Sequence, residues 1–492
     1  MSNWKKNLLI LGLLTGAVAA PLALRDTGAD GADQADLRLD IITPHTETLR
    51  REFGEAFSAY WEERSGDSVY VNFLVPGGTS ECVRVIGNGF EAAAERGKVG
   101  CGIDVFFGGG AYDFAIQAKQ NRFEKLRIFE TRSELFKEGG IPATLSGETF
   151  YDPEHAWVGS VLSSFGICYN TDLLLERGLP EPVSWDDLGD PGYIHGVALA
   201  DTTKSSSVTK SFEMLVQQKI QEELSVSSSE EDWERVVARG WKASMNLIQK
   251  IGANARYFTD SSAKIPRDVA QGNAVAGMCI DFYGRTTSET LKQPDGSSRL
   301  RYIMPAGGSS ISVDPVAVLK GAPHPELAQA FVEFVLSREG QMLWAASPGT
   351  IPGPKYRALR RLPIRPDLYR GETLEAMIDG EAMPFEAAKK FSYDRKLTGH
   401  LFSPLRAIIR AMCIDPHDEM KAAWAALIKA GFPPQATARF HDVSAVAYDV
   451  AGGSIKTSLK TSKIESVRLM NQLGGFFREN YKEARRLAEE GL

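Results

Sequence analysis

The stretch that decides the fold is residues 37–81, "LRLDIITPHTETLRREFGEAFSAYWEERSGDSVYVNFLVPGGTSE". Its apolar runs "LRLDIIT" and "SVYVNFLV" predict two strands. Between them, Leu49, Phe53 and Phe57 recur at helical spacing, and Gly66 ends the predicted helix. A strand, a helix and a second strand in this order predict a parallel pair with a right-handed crossover.

The same order of elements continues along the chain. "GIDVFFGGGAYDFAIQAKQ" repeats it, so residues 38–150 are predicted to form a lobe around a parallel sheet. Similar patterns over residues 151–299 predict a second lobe, and residues 300–350 return to the first. Residues 351–492 carry mainly helical patterns and form a C-terminal extension. We therefore predict an α/β fold with two doubly wound lobes.

The N-terminus predicts export. Residues 1–24 combine the basic start "MSNWKK" with a long apolar run, which is typical of an export signal or an anchor. Residues 25–37 are small and acidic and predict a flexible tether. We expect a periplasmic or other extracytoplasmic protein, with an uncleaved anchor as the alternative. The formal net charge of −7 and the lack of a basic run argue against nucleic-acid binding.

Five cysteines are too few and too scattered for a disulfide scaffold. A helix of about 14 residues between Cys82 and Cys101 would span ~20 Å, which is beyond the reach of a disulfide. Cys168 and Cys279 both lie in strand-like runs, where they are either neighbours or separate buried thiols.

Four loops share one design, in which a strand ends in small or hydroxyl residues and a helix begins at once. They are "TPHT", "PGGTS", "GGGAY" and "TTKSSS". Helix N-termini expose unpaired N–H groups and a positive dipole end, so each loop is suited to an anion, although simple capping is the alternative for any single loop. The predicted ligand contacts in these loops are Gly77, Gly78, Thr79, Ser80, Gly109, Gly110, Thr203, Ser205 and Ser206.

His45 is a candidate for binding chemistry. With Thr43 as N-cap and Pro44 at the first helical position, His45 is predicted to lie in the opening turn of the helix. The positive helix end would keep its ring neutral and able to bind a metal. Glu81 begins the next helix at the same sheet edge, where stabilisation of the helix dipole is its alternative role.

Further candidates follow later strands. Tyr283 is predicted to end the strand "GMCIDFYG", where Asp281 would share its face and Phe282 would take the other. Asp314 either lines a cleft or opens the turn before Pro315. An imidazole, a carboxylate and a phenol suit a hard trivalent metal such as Fe(III). The tentative metal ligands are His45, Glu81 and Tyr283.

The sequence lacks the usual catalytic motifs. There is no GxSxG, HExxH, GxxxxGK[ST] or GxGxxG pattern, and no nucleophile lies in a recognisable setting beside a base. We therefore predict a binding protein with no resident cofactor. An enzyme on the same fold and a membrane-anchored sensor or assembly protein are the alternatives.

Together these segments carry a family resemblance. From about residue 37 to 369, the stretches "PGGTSECVRVI", "IDVFFGGGAYDF", "GICYNTDLL", "PVSWDDLGDPGY" and "AQAFVEFVLSREGQ" resemble the extracellular solute-binding proteins of ABC importers. The branch is the one that includes the ferric-ion-binding periplasmic proteins. The resemblance implies a type II-like fold with one ligand between two lobes. It also implies permease subunits in the inner membrane as partners, and we expect a monomer.

In the ferric-binding relatives, a histidine, a glutamate and two adjacent tyrosines hold the metal together with an exogenous anion. His45, Glu81 and Tyr283 are similar to three of these ligands, but Phe282 stands in place of the other tyrosine. The resemblance therefore leaves two kinds of ligand open, ferric iron and a small organic anion with phosphate or carboxylate groups.

Overall fold

The computed structural model of the chain describes residues 35–228 and 231–492. The predicted export segment, residues 1–24, and most of the predicted tether, residues 25–37, lie outside the described residues. Within the described ranges, no helix combines the length and the apolar character that crossing a bilayer requires.

The first lobe begins with the predicted alternation of strands and helices. Its elements are β1 (Leu37–Ile42), α1 (Glu47–Ser65), β2 (Val69–Leu74), α2 (Thr79–Glu95), β3 (Val105–Phe107), α3 (Ala111–Lys119), α4 (Ile128–Thr131), β4 (Thr144–Leu145), β5 (Glu148–Thr149) and β6 (Val158–Ser163).

The second lobe repeats the alternation. Its elements are β7 (Phe165–Asn170), α5 (Thr171–Arg177), β8 (Val197–Ala200), α6 (Ser206–Val226), α7 (Trp233–Asn254), β9 (Ala255–Thr259), α8 (Lys264–Ala270), β10 (Ala276–Ile280), α9 (Asp281–Thr290) and β11 (Leu300–Ile303).

The chain then returns to the first lobe and continues into helices. The returning elements are β12 (Ser312–Val318), α10 (Pro325–Leu336), α11 (Arg338–Ala345) and β13 (Leu362–Pro363). The remaining helices are α12 (Gly371–Glu375), α13 (Pro384–Ala387), α14 (Arg395–Thr398), α15 (Phe402–Ile409), α16 (His417–Ala430), α17 (Pro434–Phe440), α18 (Tyr448–Val450), α19 (Lys456–Thr461) and α20 (Lys463–Glu490).

Two sheets organise the lobes. The first has the order β13–β6–β12–β3–β1–β2, and the second has the order β11–β7–β10–β8–β9. β1 runs parallel to both of its neighbours, with Ile42 opposite Leu74 on β2 and Phe106 on β3. The loops that follow these three strands therefore lie at one carboxyl edge. The prediction of an α/β fold with two lobes is confirmed.

The crossings between the sheets lie later in the chain than the sequence patterns indicate. The chain leaves the first sheet at Ser163 and enters the second at Phe165. It leaves the second sheet at Ile303, so the strands of the second lobe do not coincide with the predicted range 151–299. Strand β6 accounts for the difference at the first boundary, because it pairs antiparallel with β12 of the first sheet.

The C-terminal extension is mainly helical, as predicted, but it is divided between the lobes. Strand β13 joins the first sheet, and Ile364 lies in the core of the first lobe. From α14 onward the extension belongs to the core of the second lobe. Leu405, Trp424 and Tyr481 lie in the same buried cluster as Trp241 of α7. The Trp241 indole Nε1–H also donates to the Val446 carbonyl over 2.8 Å. The helices from α14 onward therefore complete the second lobe and are not an appended domain.

The cysteines form no bridge in the described part of the chain, where all five thiols are free. Cys168 and Cys279 are buried on the paired strands β7 and β10, so they are near neighbours. Cys82 and Cys101 both remain thiols.

Candidate functional site

A cavity of about 1750 Å³ is lined by residues of both lobes. All four loops predicted from the sequence contribute to its walls. The predicted residues on its lining are His45, Gly77, Gly78, Thr79, Glu81, Gly109, Gly110, Ser205, Ser206, Tyr283 and Asp314. Three further predicted residues, Ser80, Thr203 and Asp281, are not on the lining.

The first lobe presents three helix starts to this cavity. Helices α1, α2 and α3 follow Thr46, Gly78 and Gly110, and no side chain among the described residues caps any of them. Gly109 has a φ of +121°, and a Cβ there would lie 2.7 Å from the Thr79 Cγ2 atom. This glycine therefore allows the loop before α3 to pack against the start of α2. The arrangement leaves backbone N–H groups available to an anion.

The second lobe presents hydroxyl groups. The Ser205 Oγ accepts from the Val208 N–H over 3.4 Å and caps α6. The Ser206 Oγ is buried and has no hydrogen-bond partner among the described residues. The Ser207 hydroxyl donates to the Ser262 Oγ over 2.9 Å. Because a buried polar group without a partner is unfavourable, the Ser206 hydroxyl is a candidate ligand contact.

Sequence reasoning missed the loop at residues 260–263, which also lines the cavity. It follows β9 and precedes α8 in the sequence "FTDSSAK". The signal was present, since this loop has the same design of a strand followed by hydroxyl residues and a helix.

The predicted placement of His45 in a helical turn is wrong. Helix α1 begins at Glu47 with Thr46 at its N-cap, so His45 lies in the preceding loop. Its backbone N–H donates to the Thr43 Oγ1 over 3.1 Å, and this turn delays the helix. Burial, followed by the Arg361 guanidinium, lowers the pKa of His45 to about 3, so the ring is neutral.

The predicted strand face for Tyr283 is also wrong. Strand β10 ends at Ile280, and Asp281, Phe282 and Tyr283 form the first turn of α9. Since helical residues turn by about 100° each, Asp281 points away while Phe282 and Tyr283 line the cavity. Burial raises the pKa of the Tyr283 phenol, which keeps it protonated at neutral pH.

The donor atoms of the three predicted metal ligands do not converge on a free site. His45, Glu81 and Tyr283 all line the cavity. However, the His45 Nε2 is buried against Gly108, where a Cβ would collide with it. In residues 35–228 and 231–492, no group of three or more His, Cys, Asp or Glu side chains could hold a metal ion. These residues do not form a ready iron site in this conformation.

A buried arginine lies behind the cavity and was not found from the sequence. The Arg361 side chain is fully buried, and its NH1 lies 2.7 Å from the Asp314 Oδ2. Its NH2 donates to the Ser163 Oγ over 2.5 Å, and its guanidinium lies 4.3 Å from the centre of the Phe282 ring. Arg361 therefore holds Asp314 beside the point where the chain crosses between the lobes.

A second buried charge cluster joins the lobes at the cavity wall. The Lys210 Nζ of α6 lies 2.9 Å from Glu148 of the first lobe and 2.9 Å from Glu213. The Tyr393 hydroxyl of the extension donates to the Glu213 Oε1 over 2.8 Å. Burial opposes the lysine charge, but the two carboxylates outweigh it and raise the pKa of Lys210.

One carboxyl group on the cavity wall has an altered titration. Asp113 lies in the first turn of α3. Burial, against a smaller opposing effect of the Arg406 guanidinium, raises the pKa of Asp113 to about 6. A negative ligand would therefore meet less repulsion from this group at mildly acidic pH.

Comparisons with known proteins agree with this architecture. The phosphoglycerate transport regulatory protein PgtC of Salmonella typhimurium is 27% identical over 289 residues, or 55% of this chain and 66% of the relative, so the match spans just under two thirds of that relative. The periplasmic binding protein AfuA of Actinobacillus pleuropneumoniae, solved with fructose-6-phosphate, has a TM-score of 0.52 at 17% identity and covers 75% of this chain and 98% of its own.

Iron-bound HitA of Pseudomonas aeruginosa has a TM-score of 0.51 at 16% identity and covers 76% of this chain and 99% of its own. At these identities the two structures support the fold alone. The model of the bacterial extracellular solute-binding protein family matches residues 86–360. The chain therefore belongs to this family, whose members are solute-binding proteins of ABC transporters and not enzymes.

Proposed function

We propose that this protein captures a small organic anion, with phosphate or carboxylate groups, in the cavity between its lobes and delivers it to the permease subunits of an ABC importer. The observation that carries the proposal is the meeting of three uncapped helix starts and a serine loop at one cavity. Backbone N–H groups at helix starts and free hydroxyls are the donors that phosphates and carboxylates accept.

The relatives support a phosphorylated solute within this class. PgtC is named for phosphoglycerate transport, and AfuA was solved with fructose-6-phosphate. Family membership favours a periplasmic location, and the apolar N-terminal run favours export by a leader. We propose that the crossings after Ser163 and Ile303 act as the hinge between open and closed lobes.

Ferric iron is the second ligand that the family resemblance allows. Phe282 removes one phenolate, and the burial of the His45 Nε2 against Gly108 removes a free imidazole donor. The remaining donors favour an organic anion over a metal. If iron is nevertheless the ligand, His45→Ala combined with Glu81→Ala will abolish iron loading without unfolding the protein.

The test is a binding panel on the purified protein without its leader. Calorimetric titration with 3-phosphoglycerate, fructose 6-phosphate, inorganic phosphate, ferric citrate and putrescine gives the affinities directly. Thermal melting checks each result, because a ligand that binds only the folded state raises Tm. We expect binding of at least one phosphorylated organic anion and none of putrescine. Binding of ferric citrate or putrescine, with no response to any phosphate, would overturn the proposal.

A further inference from the structure

Helix α15 of the C-terminal extension lies outside the residues matched by the family model, and its Arg406 contacts two of the loops that line the cavity. The Arg406 Nε donates to the Thr202 carbonyl over 2.8 Å, and its NH2 donates to the Thr203 carbonyl over 2.6 Å. The same NH2 donates to the Ser80 Oγ over 3.4 Å. One guanidinium thus contacts the "PGGTS" loop of the first lobe and the "TTKSSS" loop of the second.

The surroundings hold this guanidinium in place. The Thr202 Oγ1 donates back to the Arg406 carbonyl over 2.9 Å, which closes a reciprocal pair between the loop and α15. One turn earlier on α15, the Phe402 ring packs against Tyr112 of the first lobe with centroids 4.8 Å apart. Both rings line the cavity. Helix α15 therefore contacts both lobes beside the candidate binding site.

The charge of Arg406 also acts on the first lobe. Its guanidinium opposes the effect of burial on the pKa of Asp113, and it does the same for Tyr112. These residues belong to α3, whose uncapped start lines the cavity. The positive charge of Arg406 therefore acts electrostatically on residues that line the cavity.

We infer that Arg406 is a positioning residue of the binding site, which joins the anion loops of the two lobes and supplies a fixed positive charge beside them. The inference rests on the proposed function for the class of ligand, an organic anion. Its bridging role follows from the contacts alone. Because α15 lies outside the family match, Arg406 would distinguish this chain from members that lack such a helix.

The experiment compares Arg406→Gln, Arg406→Lys and the control Arg478→Gln. Arg478 is a matched control because its guanidinium donates to the Asp415 carbonyl and the Glu419 carboxylate of the extension, but it contacts neither of the two loops. Titration with 3-phosphoglycerate and fructose 6-phosphate measures affinity. We expect the affinity to fall about 10- to 100-fold in Arg406→Gln. It should fall less in Arg406→Lys, which keeps the positive charge but lacks the planar guanidinium that donates to several acceptors at once. Arg478→Gln should bind as the wild type does.

Two readouts separate positioning from general damage. The pH at which Asp113 titrates, followed by NMR, should rise in Arg406→Gln and stay unchanged in Arg478→Gln. Spin labels at Glu91 and Lys242, one on each lobe, report the distance between the lobes. The distribution of this distance should broaden in Arg406→Gln and not in Arg478→Gln. The labels use cysteine substitutions at these exposed positions in a Cys101→Ser background.

Wild-type affinity in Arg406→Gln, or equal losses in Arg406→Gln and Arg478→Gln, would overturn the inference. If the wild type binds neither phosphate, the proposed function fails for these solutes, and the label distances then decide the bridging role without any ligand. A distance distribution unchanged by Arg406→Gln would remove that role as well.

Discussion

The two walls of the cavity differ in how the backbone groups at their helix starts are hydrogen-bonded. In the first lobe, α1, α2 and α3 begin beside the cavity with no side-chain cap in the described chain, so the first N–H groups of these helices have no side-chain acceptor. In the second lobe, Ser205 caps α6, and Arg406 holds the two carbonyls that precede it. The wall of the first lobe therefore offers backbone N–H donors. In the wall of the second lobe, the backbone groups already have protein partners, and the Ser206 hydroxyl is the group left for a ligand.

This difference indicates a division of roles. Unpaired N–H groups gain most from an anion, because no N-cap side chain accepts from them. We call the starts of α1, α2 and α3 the unpaired wall, and the α6 start with Ser205 and Arg406 the braced wall. The braced wall keeps its shape without a ligand and provides a fixed surface for closure of the lobes.

Lys210 ties the braced wall to the first lobe, so its removal should have the largest effect. Lys210→Met leaves Glu148 and Glu213 buried without their cation, and we expect a loss of about 3–5 kcal/mol in the free energy of unfolding. Urea denaturation measures it. The control is Lys219→Met on the same helix, whose carboxylate partners are about half exposed and whose loss should stay below about 1 kcal/mol. Equal losses in the two variants would contradict the prediction.

Gly109 shapes the unpaired wall. Gly109→Ala adds a Cβ 2.7 Å from Thr79 Cγ2 at a φ of +121°, so strain and collision should lower stability by about 2–4 kcal/mol and abolish solute binding. Gly97→Ala is the control, since Gly97 has a φ of +65° with nothing within 4 Å of the added Cβ. It should cost about 1 kcal/mol and leave affinity intact. Denaturation and calorimetry would refute the prediction if Gly109→Ala still bound the solute.

Asp113 gives the unpaired wall a dependence on pH. Its folded pKa of about 6 lies above its ordinary value of 3.8, so the folded state retains the proton more strongly. Stability should therefore fall as the pH rises from about 4 to 6 and then level off. Asp113→Asn should remove this slope and stabilise the protein by about 1–2 kcal/mol at pH 7.5, after allowance for solvent screening. Melting curves across pH that superimpose for both proteins would show that Asp113 is not responsible.

Ser206 tests the hydroxyl of the braced wall. Its Oγ has no partner in the described chain, so Ser206→Ala should change stability by less than about 0.5 kcal/mol and weaken solute binding about 5- to 10-fold. Ser211→Ala should lower the stability and leave the affinity for the solute unchanged. The Ser211 hydroxyl donates to the Ser207 carbonyl over 3.2 Å, and Ser211 is not on the cavity lining. A stability loss in Ser206→Ala as large as that in Ser211→Ala would mean that the hydroxyl is already bonded.

Much of the fold could be predicted because its signals are local. The alternation of apolar runs and amphipathic helices gave the parallel start of the first sheet, and glycine and hydroxyl residues marked the loops at its edge. The errors also arose locally. Thr43 binds the His45 N–H and delays the helix, and β10 ends before Asp281 instead of at Tyr283. The periodicity of apolar residues does not determine where a helix or strand ends, because contacts with residues outside the element determine the conformation of its last residues.

The charges that organise the site could not be predicted in this way. Lys210 pairs with Glu148, 62 residues earlier in the chain, and Arg406 binds Ser80 across 326 residues. An arginine in a helical tail has the same sequence pattern whether it faces water or a cleft. Only the approach of the two lobes gives it a partner.

By itself, the sequence determined the order of strands and helices, the edge at which the loops gather and the residue types that they carry. These features depend on side-chain spacing over one or two turns, which is written directly in the chain. Only the tertiary arrangement brings loops of both lobes to one cavity, packs the helices from α14 onward into the second core, and places Arg361 and Arg406 beside the cavity. Packing between distant segments controls those features, because burial removes water from a charge and makes its partner across the fold indispensable.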